Sequence, residues 1–343
     1  MTISEQSVHR RCQSPLILLG VSRSGTTLLR VILDRSPGIA IPDESFFVPL
    51  LARRHQRPVD TARFLDDLSR TPVLAAWGLA PDDVAPLLHP GSSVGEAIAA
   101  IYEAYAAKVG KPRWGDKTPM YMRHLPLLDR LFPDAQYVQL VRDGRDAATS
   151  FLRMPEGTFT RTLAHPASAA DFACLWRIEV EEARELGRRV GPRRYLESRY
   201  EALVAEPEST VRTICAFAEI PFEPAMLDYA GAVDVSAKPH QQRLLHPPTA
   251  AVRDWRAELE PREARAFEAI AGPLLSELGY ELLDPPAREP GARGRARLAW
   301  YRARLAAWNA AAATTQRSPL WRRRHPRVTT RAATSARPGR GTR

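Results

Sequence analysis

The sequence predicts an α/β fold with a central parallel sheet flanked by helices, and three observations carry that expectation. Leu16 to Val21 is a short continuous apolar run, the pattern of a parallel strand buried on both faces. Gln136 to Val141 is apolar enough for a second buried strand and ends at Arg142. Each run leads into a stretch of helical character, Leu28 to Asp34 after the first and Gly144 to Arg153 after the second. Strand–helix alternation of this kind lays helices on the faces of a parallel sheet.

The other elements follow in order. Residues 60–108 read as helix-rich, with apolar residues at helical spacing from Glu96 to Lys108. Arg194 to Ser198 reads as another strand. Pro207 to Glu219 reads as a helix with proline at its first position, where the missing N–H costs nothing. No internal repeat is visible. Residues 1–14 form a loose polar leader, and the proline-rich stretch Asp284 to Gly294 separates the body from a C-terminal tail.

Charge is unevenly placed along the 343 residues. The net charge is +10, yet Pro286 to Arg343 holds fifteen arginines, no lysine and one acid, Glu289, for a net of +14. Residues 1–285 therefore carry −4, and the basicity belongs to the tail rather than to a nucleic-acid-binding body. Cys12, Cys174 and Cys215 are far apart, which supports neither a zinc site nor a disulfide framework. No run approaches the roughly 18 apolar residues of a membrane span, and the N-terminus lacks a secretory signal. A cytoplasmic protein is expected.

Gly20-Val-Ser-Arg-Ser-Gly-Thr-Thr27 joins the first strand to its helix, so backbone N–H groups and the positive helix end face an anion. The spacing is that of a P-loop, but the expected lysine is replaced by Thr26. A kinase uses that lysine on the β- and γ-phosphates. Here the cation is Arg23, inside the loop, with Ser24, Thr26 and Thr27 as further donors. The alternative is a plain glycine-containing turn before a helix. The second element, Val141-Arg142-Asp143-Gly144-Arg145-Asp146 followed by Ser150, puts an arginine at a strand end, where open α/β sheets bind ligands. Its alternative is an Arg–Asp surface network around a tight turn.

Taken together, these residues resemble the PAPS-dependent sulfotransferase family (PAPS, 3′-phosphoadenylyl sulfate), above all its protein-tyrosine sulfotransferase branch and bacterial relatives. Val21 to Thr27 resembles the 5′-phosphosulfate loop, and Leu140 to Arg145 with Ser150 the 3′-phosphate element. Asp43-Glu44-Ser45, Asp116-Lys117-Thr118-Pro119, Leu131 to Ala135 and Arg199 to Val204 extend the likeness over residues 15–280. The resemblance implies a P-loop-like three-layer fold and a sulfotransferase domain over 15–285. It implies that Arg23, Ser24, Gly25, Thr26 and Thr27 bind the 5′-phosphosulfate, that Arg142 and Ser150 bind the 3′-phosphate, and that Tyr200 contacts the nucleotide. Glu44 falls at the family's catalytic base, and Lys117 and Ser236 at positions that stabilise the transferring group. Arg153 stands three residues past Ser150, where the family has its second nucleotide-binding arginine four past.

The chemistry is consistent with these residue types. Sulfuryl transfer is an in-line displacement with charge building on the leaving oxygen. Because the sulfuryl group carries less charge than a phosphoryl, Arg23 and Lys117 can take the place of a metal. Glu44 can accept the acceptor's hydroxyl proton. Other readings of single residues stay open: Glu44 as an acid at a helix N-terminus, Lys117 as a solvated cation, Tyr200 as a half-buried strand residue. For the whole chain the competing classes are a P-loop nucleotide kinase and a non-catalytic nucleotide-binding module. His124 reads as a surface or packing residue.

The family's tyrosine-directed branch places two arginines after the base, and the matching positions here are Phe46 and Leu50. An apolar wall in their place favours an apolar or aromatic hydroxyl compound or a lipid, with peptide tyrosine as the alternative acceptor. A lysine expected before Trp255 is missing, with Arg243 and His246 as substitutes. In the tail, Leu298, Tyr301, Leu305 and Trp308 share one face of a helix over about 297–311, with Arg295, Arg302 and Arg304 beside them. That helix either touches an anionic membrane surface or packs on the body, with disorder beyond it. The partners the sequence allows are a hydroxyl-bearing acceptor, a membrane surface at the tail and a second copy of the chain, without nucleic acid.

Overall fold

The computed structural model describes residues 14–154, 164–229, 254–284 and 289–317. Four strands, β1 (Leu16–Leu19), β2 (Gly115–Asp116), β3 (Gln136–Val141) and β4 (Tyr195–Arg199), form one parallel sheet in the order β2-β1-β3-β4. Leu16 pairs with Gly115 on one side and Gln136 on the other, and Val141 pairs with Arg199. Each parallel neighbour requires a crossover, and helices supply it.

Side-chain alternation divides the core into layers. Ile17, Leu19 and Tyr137 face one way, against α2 (Val48–Arg54), α6 (Val94–Lys108) and α7 (Leu125–Leu131). Leu16, Leu18, Val138 and Leu140 face the other, against α1 (Thr26–Asp34) and α11 (Pro207–Ala218). The expected three-layer arrangement of a parallel sheet between helices is the one observed. Between α2 and α6 run α3 (Thr61–Ser69), α4 (Pro72–Ala76) and α5 (Pro81–Val84).

A third cluster lies beyond the strand ends. It joins Val21 and Val141 to α8 (Gly144–Leu152), α9 (Ala169–Val190), α13 (Pro261–Glu277) and α14 (Ala292–Arg317). Gly144 permits this packing, since a Cβ there would stand 2.6 Å from Phe267 and 2.7 Å from Trp176. Short α10 (Tyr200–Ala205) and α12 (Trp255–Glu258) complete the set.

The tail helix is longer than expected, and its apolar face is used internally. Leu298, Tyr301 and Leu305 are buried in this cluster, and the Tyr301 hydroxyl donates to the Ala164 carbonyl. Two of its arginines turn inward to acids of α9, Arg297 to Asp171 at 3.1 Å and Arg302 to Glu181 at 3.1 Å. Packing against the body therefore accounts for the face that a membrane would otherwise have to cover. No helix among the described residues is long and apolar enough to cross a membrane.

Candidate active site

Because all four strands run the same way, their C-terminal ends share one edge of the sheet. Each end delivers a residue singled out in the sequence: β1 the loop from Gly20 to Gly25, β2 Lys117, β3 Arg142 and β4 Tyr200. This is the edge at which open α/β sheets collect their ligands.

The loop is tight and strained. Gly25 caps α1 at φ 89°, and Arg23 holds a left-handed φ of 75°. For a long side chain that conformation costs about 1–3 kcal/mol, and such outliers gather at ligand-binding turns. A Cβ on Gly25 would stand 2.3 Å from the Tyr200 ring, so glycine is needed both for the turn and for this close approach. Ser24 is buried, and its hydroxyl has no hydrogen-bond partner within the protein. Thr26 and Thr27 open the helix just beyond.

Arg23 reaches across to the second element, where its Nε donates to the Ser150 hydroxyl at 2.9 Å. Arg142 returns the contact by donating Nη1 to the Arg23 carbonyl at 3.2 Å, and its guanidinium lies 4.4 Å from the Tyr200 ring centroid. Its Nε is buried without a partner within the protein, and its nearest carboxylate, Asp146, is 3.9 Å away. Two elements 119 residues apart thus form one continuous basic surface. Orphaned buried donors on that surface fit an anionic ligand, since leaving such groups unmet is costly.

Behind Arg142 stands a fixed scaffold. Arg145 is buried; it bonds both oxygens of Asp143, meets Glu268 at 2.6 Å, and lies 3.9 Å over the Trp255 ring. The backbone N–H of Trp255 donates to Asp146, whose carboxyl is raised to about 6 chiefly by burial.

Glu44 and Lys117 meet although 73 residues separate them: Lys117 Nζ donates to the Glu44 carboxylate at 2.5 Å and to the Thr27 hydroxyl at 3.1 Å. The lysine side chain is 2% exposed and the glutamate 28%. Burial pulls the Lys117 ammonium below its ordinary range despite the opposing pull of Glu44. A base candidate, a cation and the loop helix therefore converge on one point.

The Glu44 segment is held from two sides. On one, Arg30 of α1 donates to the Ile41 carbonyl at 3.1 Å and pairs with Asp43 at 3.3 Å. On the other, Ser45 enters a buried cluster with Asp116, Thr118, Tyr121 and Tyr102. None of these contacts was read from the sequence. Tyr102 and Tyr121 were not singled out in the sequence, and Ser45, Asp116 and Thr118 entered it only as motif neighbours of Glu44 and Lys117.

Several expectations change. Leu50 is 2% exposed and belongs to the core between α2 and α6, so it cannot line an acceptor site. Phe46 stays half-buried beside Glu44 at a left-handed φ of 54°. Arg153 turns away from Arg142, pairing with Glu258 at 2.9 Å and donating to that residue's carbonyl. His124 is depressed to about 4 by burial and by Arg53 and Arg123. Ser236, Arg243 and His246 lie outside the described residues.

Comparison with known proteins identifies the family of the chain. The model of the sulfotransferase family matches residues 15–224. Protein-tyrosine sulfotransferase 1 of Danio rerio is 27% identical over 287 residues, covering 80% of this chain and 74% of its own length. Nodulation protein NoeE of Sinorhizobium fredii is 29% identical over 330 residues, covering 86% of this chain and 73% of its own. Among solved structures, the sulfotransferase domain from the curacin biosynthetic pathway superposes with a TM-score of 0.55 at 23% identity. That match covers 79% of this chain and 99% of the domain.

Proposed function

The chain belongs to the sulfotransferase family and is an enzyme of sulfuryl transfer; from that premise we propose that its donor is PAPS and that Glu44 and Lys117 act on the transferring group. The observation that carries this reading is Lys117 Nζ bridging the Glu44 carboxylate and the Thr27 hydroxyl of the loop. One cation ties the base to the anion-binding turn, as a reaction between a bound sulfuryl group and an incoming hydroxyl requires.

In this reading the loop from Arg23 to Thr27 holds the 5′-phosphosulfate, and Arg142 with Ser150 holds the 3′-phosphate. The unmet Ser24 hydroxyl and Arg142 Nε support those roles. Tyr200, between Gly25 and Arg142, stacks against the nucleotide. The sulfuryl oxygens of the bound donor give Lys117 a competing partner and free Glu44. The acceptor hydroxyl then attacks sulfur as its proton passes to Glu44. The bond from sulfur to the bridging oxygen breaks, and 3′,5′-ADP leaves, its developing charge met by Lys117 and Arg23. Ser236 is carried as a further stabilising residue on the resemblance alone. Arg153 is left out because Glu258 holds its guanidinium.

For the acceptor we favour an apolar or aromatic hydroxyl compound, on the strength of Phe46 beside Glu44. Peptide tyrosine is the second reading, favoured by the names of relatives such as protein-tyrosine sulfotransferase 1. Transfer of radiolabel from PAPS to 1-naphthol, dodecanol and an acidic tyrosine peptide separates them, and exclusive labelling of the peptide would reject the first.

Calorimetry tests the donor site. 3′,5′-ADP should bind more tightly than 5′-AMP or ATP, and Arg142→Ala should erase that preference. Glu44→Ala should lower turnover by about 10²–10⁴-fold, the usual weight of a general base, while 3′,5′-ADP still binds. Loss of both together would recast Glu44 as structural.

A further inference from the structure

The residues flanking Glu44 and Lys117 are joined by hydrogen bonds that the reaction itself does not use. Asp116 precedes Lys117, Thr118 follows it, and Ser45 follows Glu44. Asp116 Oδ2 accepts from the Ser45 hydroxyl at 2.7 Å, the Tyr102 hydroxyl at 2.9 Å and the Thr118 hydroxyl at 3.2 Å. The Ser45 N–H donates to Thr118 Oγ1 at 3.1 Å, and the Val48 N–H at the start of α2 donates to the Tyr121 hydroxyl oxygen at 3.1 Å. All five side chains are buried.

Counting protons orients the whole cluster. Each hydroxyl has one proton to give. Ser45 and Thr118 give theirs to Asp116, so the 2.6 Å contact between Tyr121 and Ser45 has the tyrosine as donor. The chain then runs in one direction: Val48 N–H to Tyr121, Tyr121 to Ser45, Ser45 to Asp116. Every hydroxyl proton ends on an oxygen, and one carboxylate oxygen collects three of them. The other oxygen, Asp116 Oδ1, is buried without a partner among the described residues. The cluster therefore hangs on Oδ2, and hydrogen bonds linked through one atom in this way strengthen one another beyond separate pairs.

We infer that Asp116 is a positioning residue for sulfuryl transfer, acting through Ser45, Thr118 and Tyr121 to set the Glu44 carboxylate against the Lys117 ammonium. The inference rests on the reading in which those two residues act on the transferring group. Glu44 is one peptide from Ser45 and Lys117 one peptide from both Asp116 and Thr118, so displacement of this cluster moves the base and the cation relative to each other. It leaves untouched the loop at β1 and the arginine at β3 that would hold the nucleotide.

The test uses the full-length protein and follows loss of the labelled sulfuryl group from PAPS in single turnover, to 1-naphthol or to water. It is paired with calorimetric affinity for 3′,5′-ADP and with the melting temperature. Ser45→Ala and Tyr121→Phe should each slow transfer by about 10- to 100-fold, the scale set by small misplacements of reacting groups. Affinity for 3′,5′-ADP should stay at the wild-type level. Asp116→Asn keeps an oxygen that can accept the three hydroxyls, so it should retain activity that Asp116→Leu loses. Wild-type transfer rates in Ser45→Ala, Tyr121→Phe and Asp116→Leu would overturn the inference. So would rate losses matched by equal losses of nucleotide affinity, with Asp116→Asn no better than Asp116→Leu, which describe a merely structural cluster. Undiminished transfer in Glu44→Ala and Lys117→Ala would instead refute the underlying reading.

Discussion

Two ends of one sheet edge solve the problem of buried charge in opposite ways. At the end of β2, the Asp116 carboxylate is surrounded by three hydroxyls, and beside it stands one ion pair, Lys117 with Glu44. At the end of β3, the carboxylates of Asp143 and Glu268 are gripped by one guanidinium, that of Arg145. Hydroxyls rotate and can hand on a proton without moving a heavy atom. A planar guanidinium keeps its charge at any working pH and holds its fork rigid. In the reaction proposed above, the first arrangement stands where a proton would leave the acceptor and the second where a permanent anion would be held. The contrast also explains why Arg142 keeps a donor free: the neighbouring acids already have Arg145 as a partner.

The comparison can be broken at its rigid end with the largest effect. Arg145→Met leaves Asp143 and Glu268 buried without their cation and removes the ring contact with Trp255. Removing one partner of a buried ion pair typically costs about 3–5 kcal/mol, so a large fall in the denaturant midpoint is expected. Wild-type stability in this variant would mean that the guanidinium cluster is no scaffold.

At the hydroxyl end the effect is smaller and depends on pH. Burial raises Asp116 to about 6, against the lowering influence of its three hydroxyl donors and Lys117. A folded-state value above the unfolded one means that the native state binds the proton more tightly. Stability from this group is therefore full below the unfolded value and is lost as pH rises through about 6. Asp116→Asn carries no such cost. Its melting temperature relative to wild type should rise between pH 4 and pH 7.5 and level off above; a difference constant across that range would show that Asp116 does not titrate there.

Much of the fold was legible, and the reason is local. The strand Gln136–Val141 and the helix beginning at Gly144 are written in contiguous apolar runs and their punctuation, and both appear where the pattern places them. The anion loop was legible for the same reason, since its glycine and hydroxyls stand in sequence between strand and helix. The rest depends on which faces meet. Leu50 was read as an acceptor wall because it matches an arginine position of the tyrosine-directed branch, but α2 turns that position into the core. An Arg–Asp network around the turn at Gly144 was one reading of the sequence, and Arg145 with Asp143 forms it. Its burial and its second carboxylate, Glu268, 123 residues away, could not be read locally. For the tail helix the sequence left open a membrane surface or packing on the body, because the partners of Arg297 and Arg302, Asp171 and Glu181 of α9, lie 126 and 121 residues away.

Arg153 marks where the rigid end stops, and its removal should have the smallest effect. It sits one residue past α8, with its side chain 54% exposed and paired to Glu258, itself 20% exposed. Exposed pairs of this kind contribute about 0–1 kcal/mol, because solvent screens the attraction and two long side chains lose freedom. The resemblance implies a nucleotide-binding arginine four residues past Ser150, and the chain offers its arginine three residues past, about 100° around the helix from that position. Arg153→Ala should therefore leave 3′,5′-ADP affinity and the denaturant midpoint near wild type, where Arg142→Ala erases the preference for the 3′-phosphate. A loss of 3′,5′-ADP affinity in Arg153→Ala comparable to that in Arg142→Ala would mean that Arg153 exchanges Glu258 for the nucleotide. The guanidinium end would then possess a movable member of its own, and the division between an end built on a fixed guanidinium fork and an end built on hydroxyls would fail.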